Sequence, residues 1–398
     1  QELNIQDYSW YAPSGEHAAF LAGPVKDQSG KTVAVLAYQL SPKQTNAIVQ
    51  KRDGMGKTGE TYLVGFNEGK SSFRSDMQTM GDGKYVIGYE ITTPYIEKAL
   101  AGSSAEEVYT DSAGDLVMVA YDPLNIQGLQ WAMVSKINLE EAIAPKLEGE
   151  QKDYYTKYIE QYGYYDLFLI HPEGKVFYSV CREADYGTNM VSGQYSDSGL
   201  GQLVRRVIQT QQYGLADFAP YAPSGGEPAS FIAQPVLLNG HVELIVALQL
   251  SLEAINSIMQ QRDGMGRTGE TYLIGQDKLM RSDSYLDPEN HSVKASFANP
   301  SLGKVDTEGA RQALAGKTGD KIITDYNGNP VLSAYTPLEL GETTWALLAE
   351  IDLAEVKEPV NALVRSIIIT AIVIAIIVAA IALYIAISIA NPLLRGVD

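Results

Sequence analysis

Short apolar runs rich in β-branched and aromatic residues, punctuated by Gly, Pro and Asn, recur along most of this chain and predict strands joined by tight turns. In DLFLIHPEGKVFYSV (166–180) two such runs flank a Pro-Glu-Gly turn. LGQLVRRVIQTQQ (200–212) instead spaces its apolar positions for a helix. Three strand-like runs follow, GLADFAPYAP, PASFIAQPVLL and HVELIVALQLS, the last preceded by an Asn239-Gly240 turn. These segments predict one α+β lobe on an antiparallel sheet. LEAINSIMQQR (252–262) then predicts a short helix leading through a glycine turn into a second lobe. Its parts are a hairpin in TYLIGQDKLMRSD, a Gly-terminated helix in DTEGARQALAG (306–316), a hairpin turning at Asn327-Gly328, and a last strand in TWALLAEID. Upstream, EGEQKDYYTKYIEQYGYYD (148–166) sets Tyr155, Tyr158, Ile159 and Tyr162 at helical spacing and predicts a long amphipathic connecting helix.

The pattern changes near the C-terminal end. Ser366 to Ala390 carries no charge over 25 residues, enough to cross a hydrocarbon core. Arg365 and Arg395 flank it on both sides, so arginine placement does not orient it. The charged helix at 148–162 is different: Glu148, Glu150, Lys152 and Asp153 would each cost about 2.5–3.5 kcal/mol at mid-membrane. Everything before the apolar run is therefore expected on one side of the membrane.

Laid against itself, the chain repeats. DGMGKTGETYLVG from Asp53 recurs as DGMGRTGETYLIG from Asp263, a shift of 210 residues. The same shift relates Tyr11-Ala12-Pro13-Ser14-Gly15 to Tyr221-Ala222-Pro223-Ser224-Gly225. It becomes 207 for Arg74-Ser75-Asp76 against Arg281-Ser282-Asp283, and 214 for Trp131 against Trp345. So long a period suits a duplicated two-lobe module rather than a solenoid. Gln1 aligns with Gln211, so the first copy lacks its leading strands and helix, and an upstream segment is expected.

Within the repeat, GMGKTG has the spacing of a phosphate-binding loop. Such loops follow a strand and open a helix, so that helix N–H groups face the anion. Here a helical segment precedes and a strand follows, and Gly59-Glu60-Thr61 puts a carboxylate where the loop needs its lysine. We therefore read it as a lobe-joining turn.

Composition narrows the chemistry. A net charge of −18 argues against nucleic acid and anionic lipid surfaces as partners. The lone Cys181 excludes an internal disulfide framework, and with four His the usual zinc spacings are absent. His291 near Asp287 reads as a solvated loop rather than a metal site, and no Ser/His/Asp or Cys/His set emerges. The chain is expected to be non-enzymatic and to need no cofactor. Its 25 Tyr against 8 Phe supply ring area with a hydrogen-bonding tip, suited to polar pockets.

Four blocks occur in the order of a known family: YYDLFLIHPEGKVFYSVCREADYGTNM, DFAPYAPSGGEPASFIAQPV, RDGMGRTGETYLIG with RSDS, and DTEGARQALAGKTGDKIITDYNGNPVLSAYTPL. Together they resemble the double-Cache sensor module of bacterial methyl-accepting chemotaxis receptors and related membrane cyclases and histidine kinases, over residues 1 to about 360. The resemblance implies an α+β fold of tandem PAS-like lobes with antiparallel sheets on long stalk helices, plus one C-terminal transmembrane helix. The expected parts are a partial distal lobe (1–41), a proximal lobe (42–137), a connecting stalk helix (138–165), a distal lobe (166–250) and a proximal lobe (251–352). A juxtamembrane helix (353–365), a transmembrane helix (366–390) and a HAMP-like start (391–398) complete the list. SIANPLLRGVD resembles the beginning of a HAMP helix, which orients the chain with its lobes outside the bacterial inner membrane.

The family's ligands usually occupy the distal lobe, which here offers Tyr186, Asn189, Asp217, Tyr221 and Phe231, a set suited to a small polar or amine-bearing molecule. Tyr272, Arg281 and Asp283, matching Tyr62, Arg74 and Asp76, are candidates for a proximal pocket, with an internal ion pair as the plainer alternative. The amino-acid-binding subgroup has Arg-x-Trp-Tyr. Tyr8-Ser9-Trp10-Tyr11 lacks the Arg and the complete copy reads Phe218-Ala219-Pro220-Tyr221, so that recognition pattern is not supported. The resemblance implies the sensing region of a chemoreceptor, working as a homodimer, bound to an unidentified small molecule and anchored in the bilayer through 366–390. The alternatives are the sensor of a cyclase or kinase, or a structural membrane-tethered stalk.

Overall fold

A computed structural model of the chain describes residues 3–79, 85–146 and 149–390. The HAMP-like start at 391–398 and Glu148 of the expected connecting helix lie outside the described residues. The chain divides into two compact units, Gln1–Tyr162 with Val176–Val180, and Gly163–Lys175 with Cys181–Asp398.

The first unit opens with an antiparallel three-stranded sheet, β1 (Asn4–Tyr11), β2 (Glu16–Lys26) and β3 (Thr32–Leu40), in that order. Helix α1 (Pro42–Val49) leads through the glycine turn to β4 (Glu60–Asn67) and β5 (Lys70–Phe73). After α2 (Pro94–Leu100) come β6 (Ala105–Thr110), β7 (Leu116–Leu124) and β8 (Trp131–Asn138), closing a sheet ordered β5-β4-β8-β7-β6. Helix α2 forms where the sequence allows it: Thr93 caps the N–H of Ile96, Pro94 opens the first turn, and Gly102 ends it with φ +97°. Its buried Ile96, Ala99 and Leu100 pack on Tyr62, Val64, Val119 and Val134 of the sheet.

The expected connecting helix over 138–165 is a correction. Two short helices are found instead, α3 (Leu139–Ile143) and α4 (Tyr154–Tyr162). Pro145 removes a helical N–H just past α3, Gly149 takes φ +82°, and the Asp153 carboxylate accepts the N–H and hydroxyl of Thr156 at 2.8 and 2.9 Å, starting α4 afresh.

The second unit opens with β9 (Tyr164–Ile170); β10 (Val176–Ser179) belongs with the first unit. Helix α5 (Gly199–Thr210) buries Leu200, Leu203, Val204 and Val207, the spacing of one helical face, against β11 (Gly214–Pro220) and β12 (Pro228–Leu238). With β13 (His241–Leu250) these make antiparallel neighbours in the order β9-β13-β12-β11.

Helix α6 (Leu252–Met259) leads to β14 (Glu270–Ile274), and α7 (Val293–Ala298), α8 (Pro300–Gly303) and α9 (Glu308–Leu314) precede β15 (Gly319–Thr324), β16 (Pro330–Leu340) and β17 (Thr343–Asp352). The sheet order is β14-β17-β16-β15. The hairpin expected in TYLIGQDKLMRSD forms: Gly275 N–H donates to Leu279 O at 3.0 Å and Arg281 N–H to Leu273 O at 2.7 Å on either side of the Ile274–Met280 bridge, with Lys278 at φ +66° in the turn. The expected juxtamembrane and transmembrane helices are one element, α10 (Leu353–Ile385), followed by a π-helical turn at Ala386–Ala390. Leu353–Ser388 is long and apolar enough to cross a membrane, with a mean hydropathy of 3.1 in its most apolar window, none of it buried.

Candidate functional site

Asp217 and Arg281, singled out from the sequence, meet each other and close on a third residue. Arg281 Nε and Nη2 donate to Asp217 Oδ1 and Oδ2 at 2.7 and 2.8 Å, and Trp345 Nε1 donates to Asp217 Oδ1 at 3.0 Å. Gly275 is what lets the guanidinium pass, since a Cβ there would sit 2.1 Å from Nη2. The first unit repeats the set: Arg74 donates to both Asp7 oxygens at 2.8 and 2.7 Å, and Trp131 to Oδ1 at 2.9 Å. Such a bidentate pair with an indole staples the first sheet of each unit to its second. A cavity of about 700 Å³ adjoins the second staple, lined by Gln202, Arg206 and Gln276 as well as Asp217, Asp277 and Arg281.

Tyr272 is fully buried and donates to Glu350 Oε2 at 2.8 Å. Asp283 accepts from Asn256 Nδ2 at 2.8 Å and from the Val293 N–H at 2.7 Å, tying α6 to the start of α7. Asn189 accepts from the N–H groups of Val191 and Ser192 and donates to Glu173 O, fastening the loop before α5. The Tyr186 ring carries the Arg182 guanidinium at 4.6 Å.

Tyr221 and Phe231 come together differently. Their rings pack edge to face at 4.8 Å, and Tyr221 Oη donates to Asp185 Oδ2 at 2.5 Å. Strand register puts Phe231 opposite Gln249 and Gln249 opposite Asp166, so the three share one sheet face across β12, β13 and β9. Glu183 accepts from Tyr165 and Ser224, both at 2.6 Å, and Ser224 Oγ in turn accepts from Gln249 Nε2 at 3.4 Å. The result is an acidic cluster in the second unit, built from Asp166, Glu183, Asp185, Tyr221 and Gln249.

Burial, then the neighbouring Glu183, raises the Asp185 carboxyl above its ordinary value, although the Tyr221 hydroxyl pulls the other way. Burial and the carboxylates of Asp166, Glu183 and Asp185 push the Cys181 thiol up to about 12. Two buried acceptors, Asp185 Oδ1 and Gln249 Oε1, find no hydrogen-bond donor among the described residues. Leaving such atoms unmet costs about 1–3 kcal/mol each. The arrangement is chemically complementary to a donor-rich cation.

Of the residues expected from sequence, Tyr221 and Phe231 therefore join one cluster, which Tyr186 adjoins through its N–H to Glu183 O at 3.1 Å, Asp217 and Arg281 form one staple, and Asn189, Tyr272 and Asp283 lie elsewhere. Sequence reasoning missed Asp185, Glu183, Asp166 and Gln249. The available signal was CREADYG itself, two carboxylates in a loop following a buried strand, with Gln249 on the face that register alone assigns.

No family model matches this chain. A curated relative, the probable chemoreceptor y4sI of Sinorhizobium fredii, is 24% identical over 209 residues, covering 52% of this chain and 25% of that protein. The chain thus spans about a quarter of the length of the curated relative it matches. Similar solved structures include an extracellular ligand binding receptor from Desulfohalobium retbaense, at 16% identity over 49% of this chain and 32% of that one, with a TM-score of 0.37. The ligand-binding domain of the Pseudomonas aeruginosa amino acid chemoreceptor PctB, in complex with L-Arg, matches at 18% identity over 51% of this chain and 72% of that one, with a TM-score of 0.35. That of the Pseudomonas fluorescens chemoreceptor CtaA, with L-alanine, matches at 14% identity over 48% and 74%, with a TM-score of 0.33.

Proposed function

We propose that this chain is the extracytoplasmic sensing region of a bacterial chemoreceptor, whose distal lobe at 166–250 binds a small ammonium- or guanidinium-bearing molecule. The chemoreceptor relative and the double-Cache resemblance support the receptor reading; the buried, donor-less Asp185 Oδ1 carries the choice of ligand class. Each of the four sheets is read as the core of one lobe. The run at 366–390 crosses the bilayer once, the lobes lie on the periplasmic side, and the receptor works as a symmetric dimer. A ligand that binds one packing of the lobes better than another biases the membrane helix by about 1–2 Å toward a cytoplasmic HAMP and signalling part. Differential affinity, not tight binding alone, sets the size of that bias.

The test is a calorimetric screen of the full chain in lipid nanodiscs against primary amines, polyamines and guanidinium compounds, with neutral amides and alcohols of equal size as controls. Binding by a cationic compound that Asp185→Asn weakens about ten-fold or more supports the proposal. Binding only of neutral or anionic compounds, or cation binding indifferent to Asp185→Asn, refutes the ligand class.

A further inference from the structure

The turn that resembled a phosphate loop does hold an anion, and that anion belongs to the protein. In the second unit the N–H groups of Arg267 and Thr268 donate to Glu355 Oε1 and Oε2, both at 2.8 Å, and Thr268 Oγ1 donates to Oε2 at 2.6 Å. The same Thr268 hydroxyl accepts the N–H of Asp352 at 3.1 Å, so one side chain meets both the strand end and the carboxylate. Gly266, at φ +69°, leaves the entrance open; a Cβ there would lie 2.4 Å from Glu355 Oε1. From inside, Arg262 braces the turn by donating to the carbonyls of Gly266, Arg267 and Gly269 at 3.1, 2.7 and 3.0 Å.

Glu355 lies in the first turn of α10, the helix that carries the apolar span. The braced turn therefore grips the head of that helix. Arg267 adds a second hold, Nη2 to Glu358 Oε1 at 2.5 Å, one helical turn further on.

Duplication supplies an internal comparison. In the first unit Glu141 accepts from Lys57 N, Thr58 N and Thr58 Oγ1 at 2.6, 2.8 and 2.5 Å, and Arg52 braces the turn in the same way. There the gripped helix is α3, which stops at Ile143 before Pro145. In the second unit the matching Pro359 is carried inside α10, and Glu358 stands where the first has Ala144. The carboxylate grip is common to both copies; the extra ion pair occurs in the copy whose helix continues into the apolar span.

We propose that Glu355 is the positioning residue coupling the proximal lobe to the membrane helix, a latch through which displacement of the lobe and displacement of the helix become one motion. The latch rests on the sensor reading above, since it transmits what the lobes detect. Its contacts form a contiguous path: α6 is tied to the loop before α7 through Asn256 and Asp283, α6 ends at the turn braced by Arg262, and the turn holds α10.

Coupling is reciprocal, so it can be read from the membrane side without knowing the ligand. The full chain is placed in nanodiscs of short-chain and of long-chain phosphatidylcholine, which tilt the helix differently, and amide exchange is followed at 252–274. The wild type is expected to change its exchange at these positions with bilayer thickness. Glu355→Ala is expected to speed exchange at Arg267 and Thr268 about ten-fold or more and to abolish the thickness dependence, with the gentler Thr268→Val reducing it. Glu141→Ala, which opens the first unit's grip, is expected to leave that dependence intact. A thickness response equal in wild type and Glu355→Ala overturns the latch while leaving the membrane anchor standing. A wild type that inserts but shows no response also overturns the latch, and a chain that fails to insert overturns the membrane reading and the latch with it.

Discussion

Replacing Asp217 with Ala tests the claim that the Asp217–Arg281–Trp345 set is a structural staple rather than a ligand grip. The change leaves Arg281, whose side chain is 2% exposed, with Asp277 as its ion-pair partner, and strips Trp345 Nε1 of its acceptor. Breaking a buried pair from one side costs about 3–5 kcal/mol. Because the Asp217 side chain is 25% exposed, the low end is appropriate, about 3 kcal/mol. For a unit of this size that is a fall in melting temperature of roughly 6–12 °C. Calorimetry of the full chain in detergent follows the second unit's transition, and amide exchange of Arg281, whose N–H donates to Leu273 O at 2.7 Å, reports the site directly. The double variant Asp217→Leu with Arg281→Met removes both charges together and should recover most of the loss. A single variant within about 1 kcal/mol of wild type, or a double variant as damaged as the single, refutes the staple.

Three further outcomes follow from the geometry. Burial raises the Asp185 carboxyl, so the folded state holds its proton more tightly than the unfolded chain; the stability tied to it is greatest at low pH and falls as pH rises from about 3.9 upward through the raised value. In Asp185→Asn, pH-dependent calorimetry should show that fall flattened. Glu350 lies directly opposite Glu270 with burial as the main cause of its raised pKa, whereas in the first unit Lys136 stands in its place and meets Glu60 at 3.1 Å. Glu350→Gln should therefore gain stability over wild type at pH 8 but not at pH 4, measured by urea unfolding. Among the turn glycines, Gly264→Ala meets open space and should cost about 1 kcal/mol for its φ of +80° alone, while Gly269→Ala places Cβ 2.0 Å from Met265 O and should cost clearly more; equal losses would count against the assigned turn.

Local signals were legible where a segment decides its own structure. Helix α2 could be read from Thr93-Pro94 and Gly102, and α5 from the spacing of Leu200, Leu203, Val204 and Val207, because caps and one-sided burial act within a few residues. The strands could be read from their apolar runs, and the shifts of 207 and 214 paired Arg281 with Arg74 and Trp345 with Trp131; the shift of 210, carried back to residue 7, pairs Asp217 with Asp7 as well. The long connecting helix failed because tyrosine spacing was allowed to outweigh Pro145, Gly149 and a capping Asp153. The acidic cluster was missed for another reason. Asp166, Asp185, Tyr221 and Gln249 come from β9, a loop, the end of β11 and β13, and only strand register and the loop's path bring them to one place.

The glycine turn shows where motif reasoning gains and loses its grip. Its spacing does encode a nest of N–H groups able to bind an anion, so the resemblance to a phosphate loop was physically informative. What spacing could not encode is occupancy, which depends on a residue 87 positions away in the case of Thr268 and Glu355. With the Arg267 and Thr268 N–H groups and the Thr268 hydroxyl already held by a carboxylate, a phosphate could take those donors only by withdrawing Glu355 and releasing the head of α10. Nucleotide binding and a secured membrane helix are thus mutually exclusive in this fold. It follows that millimolar ATP or inorganic phosphate should leave the exchange of the Arg267 and Thr268 amides unchanged in the wild type. In Glu355→Ala the emptied nest should acquire weak phosphate affinity, visible as renewed protection of those two amides. Protection by phosphate in the wild type would mean that the grip on α10 is looser than three charge-assisted hydrogen bonds imply.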